Sequence, residues 1–268
     1  MTAIHYLRCL FGIITREGLR FTHQRERFIS SLVRPLLWLI VFAAGFRNVL
    51  GVSMIEPYDT YVLYEVFITP GLIAMIQLFN GMQSSLSMVY DREMGSMRTL
   101  LISPFPRWWL LTAKLMAGVA VSIVQVYVFL VVAALLMDIT MPPWGYVTVL
   151  PALILTGMML GAMGLVLSSL IRQLENFAGV MNFVIFPLFF TSTALYPLWR
   201  MKDANPWLAD ICAANPFTHA VELIRFALYC RLNVESLAVV VGTFVVLMAA
   251  AVWGYDPSRG FMQRKGDA

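Results

Sequence analysis

Six stretches of this chain carry long runs of apolar residues, and short polar or basic segments separate them. A helix needs roughly 20 apolar residues to cross the hydrocarbon of a bilayer. The runs at 30–50, 65–89, 108–137, 146–170, 177–198 and 235–255 are read as spans on that basis. The first is the weakest: its apolar part, from Pro35 to Phe46, is bracketed by Arg34 and Arg47, whose long side chains can snorkel to the interfaces. Pro35 suits the first turn of a helix, where a missing N–H costs nothing. Ahead of this span, Ile4, Leu7, Leu10/Phe11 and Ile14 recur at helical spacing and a basic stretch follows. That pattern predicts an amphipathic helix lying in the membrane interface. It lacks the short apolar core and small-residue cleavage site of a secretory signal.

The segment between the fifth and sixth runs has a different pattern. Residues 199–234 hold Pro206-Trp207-Leu208 and Ile211, then Asn215-Pro216, then apolar positions at helical intervals from Phe217 to Tyr229. Amphipathic pieces interrupted by prolines predict either short helices that dip back into the bilayer or one helix resting on its surface. The expected fold is an all-α membrane protein: an N-terminal amphipathic interface helix (1–29), then a six-span transmembrane domain (30–268) with re-entrant helices between spans five and six. The two halves share no motif, which argues against an inverted-repeat carrier.

Composition agrees with lipid as the main solvent. Of 268 residues, 60% are hydrophobic and 13% charged, and mean hydropathy is +0.76. Soluble domains are nearer a quarter charged. The net charge of +4 therefore points to membrane topology, not to nucleic acid, and the position of each Lys and Arg matters more than the sum. Arg8, Arg16, Arg20, Arg25, Arg27 and Arg34 precede or open the first span; Arg92, Arg98, Arg107 and Lys114 lie between the second and third. With Arg172, Arg259, Arg264 and Lys265, these put fourteen of the 19 basic residues on one side. Arg47, Arg200, Lys202, Arg225 and Arg231 fall on the other. The bias predicts a multi-pass plasma-membrane protein, as in a bacterial inner membrane, with both termini cytoplasmic.

Several chemistries have no residues to carry them. There is no G-x-x-x-x-G-K-[ST] loop for a triphosphate, no H-E-x-x-H and no G-x-S-x-G elbow. The chain is thus expected to be non-catalytic, with no metal or cofactor of its own. His5, His23 and His219 are scattered, and Cys9, Cys212 and Cys230 have no metal-ligand spacing, although a Cys212–Cys230 bridge stays open. Span interiors are almost free of ionisable residues, so a proton relay has little to work with. Glu65 and Lys114, at opposite edges of spans two and three, are read as interfacial anchors.

The most informative segment is 91–104, Asp-Arg-Glu-Met-Gly-Ser-Met-Arg-Thr-Leu-Leu-Ile-Ser-Pro. Charged residues precede a short apolar helical run that Pro104 and Pro106 end. The product is a short rigid helix tied to two spans, able to pass a push from a soluble partner into the bilayer, or else a plain connector. The pattern Arg92-Glu93-x-Gly95-Ser96-x-x-x-Leu100-Leu101-x-Ser103-Pro104, followed by Arg107 and Lys114, resembles the signature loop of ABC-2-type permeases, the membrane subunits of lipo-oligosaccharide, polysaccharide and drug exporters. So do Arg34-Pro35-Leu36-Leu37-Trp38 in the first span, the run from Ser192 through Pro197-Leu198, and Pro206-Trp207-Leu208 with Asn215-Pro216-Phe217-Thr218-His219 and Arg225. The likeness covers essentially the whole chain; Ala113 stands where many relatives have glycine.

The resemblance implies a coupling helix after span two containing Arg92, Glu93, Gly95, Ser96 and Pro104, and an outer re-entrant region marked by Pro197, Asn215, Pro216 and Arg225. It also implies two permease copies working with two separate ABC ATP-binding subunits, which would hold the ATP and Mg²⁺. Movement of 91–104 and the N-terminal helix would then reorient the spans about a central path for export. Candidate lining residues are Phe79, Met82, Phe183, Phe186, Phe189 and Phe190, an apolar set suited to an amphipathic or lipid-linked substrate, with lipid contact or core packing as the other role for each. Gly157, Gly161 and Gly164 predict a close-packing face on span four, either within one subunit or between copies. The alternatives in other classes are a non-transporting membrane scaffold and an ion-coupled carrier. Neither would bring an ATP-hydrolysing partner.

Overall fold

A computed structural model describes residues 3–23, 25–46, 56–58, 62–93, 104–137, 139, 141–171 and 174–255. Those residues form ten helices and no strand. In chain order they are α1 (Ala3–His23), α2 (Arg25–Phe46), α3 (Tyr64–Glu93), α4 (Arg107–Met137), α5 (Gly145–Leu170), α6 (Leu174–Phe190), α7 (Leu198–Ala204), α8 (Pro206–Ala214), α9 (Pro216–Leu228) and α10 (Val234–Gly254).

Among the described residues, α3, α4, α5 and α10 are long and apolar enough to cross a membrane. Their bounds fall within a few residues of the expected second, third, fourth and sixth spans. The other two expected spans correspond to shorter apolar helical stretches, Leu32–Phe42 in α2 and Gly179–Phe190 in α6. The apolar run of α6 continues in sequence to residue 198, but the helix stops at Phe190 and the chain folds into a buried turn. Hydropathy does not separate these cases, because both hide apolar side chains from water.

α3 and α5 form the centre. Ile68, Leu72 and Ile73 of α3 share one core with Leu153 and Leu160 of α5 and with Val221, Ile224 and Leu228 of α9. The two central helices come very close: a Cβ on Gly81 would lie 2.9 Å from the Cα of Gly161. The small-residue face of α5 therefore packs against α3 inside one subunit. Polar groups reinforce the contact. The Gln77 amide donates to the Leu153 carbonyl at 2.7 Å, and Thr156 donates to the Gln77 Oε1 at 2.6 Å. Asn80 donates to Gln125 of α4. Measured interhelical hydrogen bonds in membranes average about 0.6 kcal/mol each, so these mostly fix the register of a contact that close packing holds together.

α1 packs across the start of α4, where Tyr6 meets Phe105 and Trp109 edge-on, both at 5.3 Å between ring centroids. It leaves Ile4, Leu7 and Phe11 exposed along one side, the stripe expected of an interface helix. The start of α4 and the ends of α5 and α10 share that end of the bundle: Ser168 and Tyr255 exchange a hydrogen bond at 2.7 Å, and Tyr255 shares a core with Leu111.

Glu65 and Lys114, expected as interfacial anchors, lie near the starts of α3 and α4, and both are buried within the helix bundle. Leu111 and Leu115, beside Lys114 on α4, are buried too, and α1 lies over this end of that helix. All three cysteines are free, as the absence of a ligand-like or paired spacing led us to expect, and the Cys212–Cys230 bridge that the sequence left open does not form.

Candidate functional site

The site begins where α6 stops. Residues 191–196 make a turn of which Ser192, Thr193, Ala194 and Leu195 are buried. A buried turn cannot leave its backbone groups to water, so each needs a partner within the protein. Part of the answer is local: the Ser192 hydroxyl donates to the Phe189 carbonyl at 2.6 Å, and the Ala194 N–H donates to that hydroxyl at 3.2 Å. The rest comes from helices distant in sequence. The Tyr64 hydroxyl of α3 donates to the Leu195 carbonyl at 3.0 Å. Gly71, two turns further along the same face of α3, leaves room for the turn: a Cβ there would lie 2.6 Å from the Ala194 carbonyl oxygen.

Asn215 holds the turn from the α9 side. Its carbonyl oxygen accepts the Phe217 N–H at 2.9 Å, capping α9, while its amide nitrogen donates to the carbonyls of Leu188 at 2.8 Å and Thr191 at 2.7 Å. One side chain thus starts one helix and finishes another. Pro216 occupies the first position of α9, where its lack of an N–H is harmless.

Arg225 holds the turn from below. It is only 2% exposed and donates to the Thr193 carbonyl at 2.9 Å and to the Phe67 carbonyl at 3.5 Å. Its guanidinium lies over the Phe67 ring, 4.3 Å from the centroid, and pairs with Glu222 one turn earlier on α9. Burial alone would lower its pKa; the carboxylate of Glu222 and the nearby Tyr58 phenol outweigh that and hold it above its usual value. Burial pushes the Tyr58 phenol up in turn, against the opposing pull of Arg225.

Pro197, Asn215, Pro216 and Arg225, singled out from the sequence as one region, therefore surround one buried turn. Pro197 is buried directly after it and caps α7. Of the other segment singled out, Arg92 and Glu93 close α3, Gly95 and Ser96 lie outside the described residues, and Pro104 is exposed just before α4. The path-lining set divides. Met82 is 0% exposed and Phe189 is packed against Phe217, so both belong to the core. Phe79 is partly covered by the Arg34 guanidinium, 4.0 Å from its ring centroid. Phe183, Phe186 and Phe190 stand exposed along one face of α6. Sequence reading passed over Tyr64, Gln77, Thr156 and Thr193; hydroxyls and amides set inside apolar runs were the available signal.

The ABC-2 type transporter family model matches residues 8–229. A protein of Cyanophora paradoxa named as a transport permease is 29% identical over 231 residues, covering 84% of this chain and 76% of the relative. One of Pyropia yezoensis with the same name is 31% identical, covering 83% and 74%. A protein of Escherichia coli K12 named as a multidrug ABC transporter permease is 29% identical over 171 residues, 63% of this chain and 45% of that protein.

Proposed function

The chain belongs to the ABC-2 type transporter family, a membrane transport permease by descent, and on that premise we propose that it is the membrane-spanning subunit of an ATP-driven exporter. A separate ATP-binding subunit hydrolyses ATP, and two copies of this chain enclose the path. In this reading α2 and α6 complete a set of six spans with α3, α4, α5 and α10. Both termini face the cytoplasm of a bacterial inner membrane, and α7–α9 are the outer re-entrant region.

The observation that best supports the reading is the face of α6. Phe183, Phe186 and Phe190 are spaced at three and four residues, so they form one stripe, and all are exposed. Trp38 of α2 packs beside Phe189 and Phe190, 5.9 Å from each. Together α2 and α6 offer an aromatic flank that a second permease copy would meet across a path for an amphipathic or lipid-linked molecule. Coupling enters at the opposite end. Arg92, Glu93, Gly95, Ser96 and Pro104 receive the motion of the ATPase, and α1, packed on the start of α4, moves with them. The turn at 191–196, pinned by Asn215 and Arg225, carries the resulting shift of α6 into α9.

The test is copurification of this chain with its ATP-binding subunit, followed by ATPase measurement in vesicles. Replacing Glu93 with Gln or Gly95 with Leu should leave ATP hydrolysis and abolish its link to transport. Unimpaired coupling in both variants would remove the role assigned to that segment.

A further inference from the structure

A narrow cleft of about 110 Å³ opens between α2, α3 and α6, lined by Arg34, Phe79, Gln83 and apolar side chains that include Met75 and Met181. Arg34 does not reach away to an interface. Its guanidinium lies over the Phe79 ring, 4.0 Å from the centroid. Phe79 stands midway along α3, so about 20 Å of helix separates it from either end. A cation at that level of a spanning helix is costly unless an anion, a backbone carbonyl or water answers it. Among the described residues Arg34 makes no ion pair or hydrogen bond. One aromatic ring cannot satisfy five N–H donors.

The lining selects the partner. A guanidinium only donates, so the partner must present acceptors. No carboxylate lines the cleft, so a cationic ligand would be repelled and a neutral one would leave the charge uncompensated. An oxyanion supplies both acceptors and charge, and arginine meets phosphate or carboxylate in a fork of two bonds. The volume is below that of sites for drug-sized molecules, so it admits a head group and not a whole ligand. The rest of the ligand has an apolar route beside it. Trp38, one turn after Arg34 on α2, continues to Phe189 and Phe190, and Leu37, Phe183 and Phe186 are exposed.

We propose that Arg34, backed by Phe79, receives the oxyanion head of an amphipathic molecule whose apolar part lies along α2 and α6. The source is either a resident anionic phospholipid or a molecule in transit. The inference rests on the transport reading only in that α2, α3 and α6 lie in a bilayer. Binding is measured on the full chain without ATP or a partner, so failure of coupling and failure of this site are separate results.

The full chain in phosphatidylcholine nanodiscs is titrated with tritiated decyl phosphate, decyltrimethylammonium and decanol, read by scintillation proximity against empty discs. Decyl phosphate should bind saturably and at least ten-fold tighter than the other two. Inorganic phosphate at equal concentration should not displace it, because the chain contributes to binding. Arg34→Gln should weaken decyl phosphate at least ten-fold, as loss of a charge-assisted hydrogen bond does, and Arg34→Lys should restore part of it. Phe79→Leu keeps the charge and loses the ring; about three-fold weaker binding is expected, and this variant decides if those at Arg34 fail to fold. Binding retained in phosphatidylglycerol discs identifies a molecule in transit, and binding lost there identifies a resident anionic lipid. Unchanged binding in Arg34→Gln or in Phe79→Leu, equal binding of the cation, or displacement by inorganic phosphate overturns the proposal.

Discussion

Arg225 donates to the backbone carbonyl of Thr193 at 2.9 Å, across 32 residues of chain, and so joins the middle of α9 to the turn that ends α6. The bond is charge-assisted and buried, which makes it strong when complete and costly when half of it is removed. Asn215 makes a second tie between the same two elements, and Tyr64 anchors the turn to α3. These ties join the turn to α3 and α9, and the transmission proposed between α6 and α9 would run through it.

Replacing Arg225 by Ala should destabilise the chain by about 1–3 kcal/mol, because the Thr193 carbonyl would be buried without its partner and Glu222, 20% exposed, would lose its cation. Arg225→Lys should recover only part of this, since an ammonium cannot reach Glu222 and the carbonyls in the same planar geometry. Thermal melts of the purified chain in detergent measure both. Wild-type stability in the alanine variant would show that the clamp is not structural.

Asn215 and Pro216 are adjacent yet should behave oppositely. Asn215→Ala removes the cap of α9 and two donors to α6, at about 1–3 kcal/mol. Asn215→Asp keeps the cap but turns a carboxylate toward the carbonyls of Leu188 and Thr191, so it should cost at least as much. Pro216→Ala should change stability by less than about 1 kcal/mol, because the first position of a helix does not need the proline. The same melts rank the three variants.

The Asn215–Pro216 pair shows where sequence was sufficient and where it was not. The dipeptide announces a helix start, and the structure begins α9 there. That its amide also closes α6 depends on a contact 24 to 27 residues away, which no local pattern encodes. The same division holds for the whole fold. Long apolar runs with proline or charge at their ends located α3, α4, α5 and α10 closely. The end of α6 was not legible, since Thr191-Ser192-Thr193 is a mild interruption that a buried helix also tolerates, and the turn is as buried as a helix. Met82 and Phe186 are equally apolar residues in sequence, and only the packed bundle places one in the core and the other on an exposed face.

Gly81→Ala should cost about 1–3 kcal/mol, because its new methyl would press on the α5 backbone at Gly161, and backbone cannot step aside as a side chain can. Gly242→Ala on α10 meets nothing within 4 Å and should stay within about 0.5 kcal/mol of wild type. Equal melting points for the two variants would contradict the close approach of α3 and α5.

If α6 faces a second copy, a cysteine at Phe183, which is 79% exposed, should cross-link two chains in native membranes when the three natural cysteines are replaced. A cysteine at Leu135 on α4, 78% exposed, should not, because α4 is not part of the proposed aromatic flank. Gel mobility after mild oxidation reads both. Cross-linking at Leu135 and none at Phe183 would move the interface to α4.

The most direct measurement of the central claim is ATP-dependent transport in proteoliposomes containing this chain and its copurified ATP-binding subunit, with the labelled compound chosen as whatever accumulates in cells lacking the chain. Movement should require both proteins and hydrolysable ATP, and should stop when the phosphate-binding lysine of the partner is replaced. Movement by this chain alone, driven by a proton gradient and indifferent to ATP, would contradict the assignment.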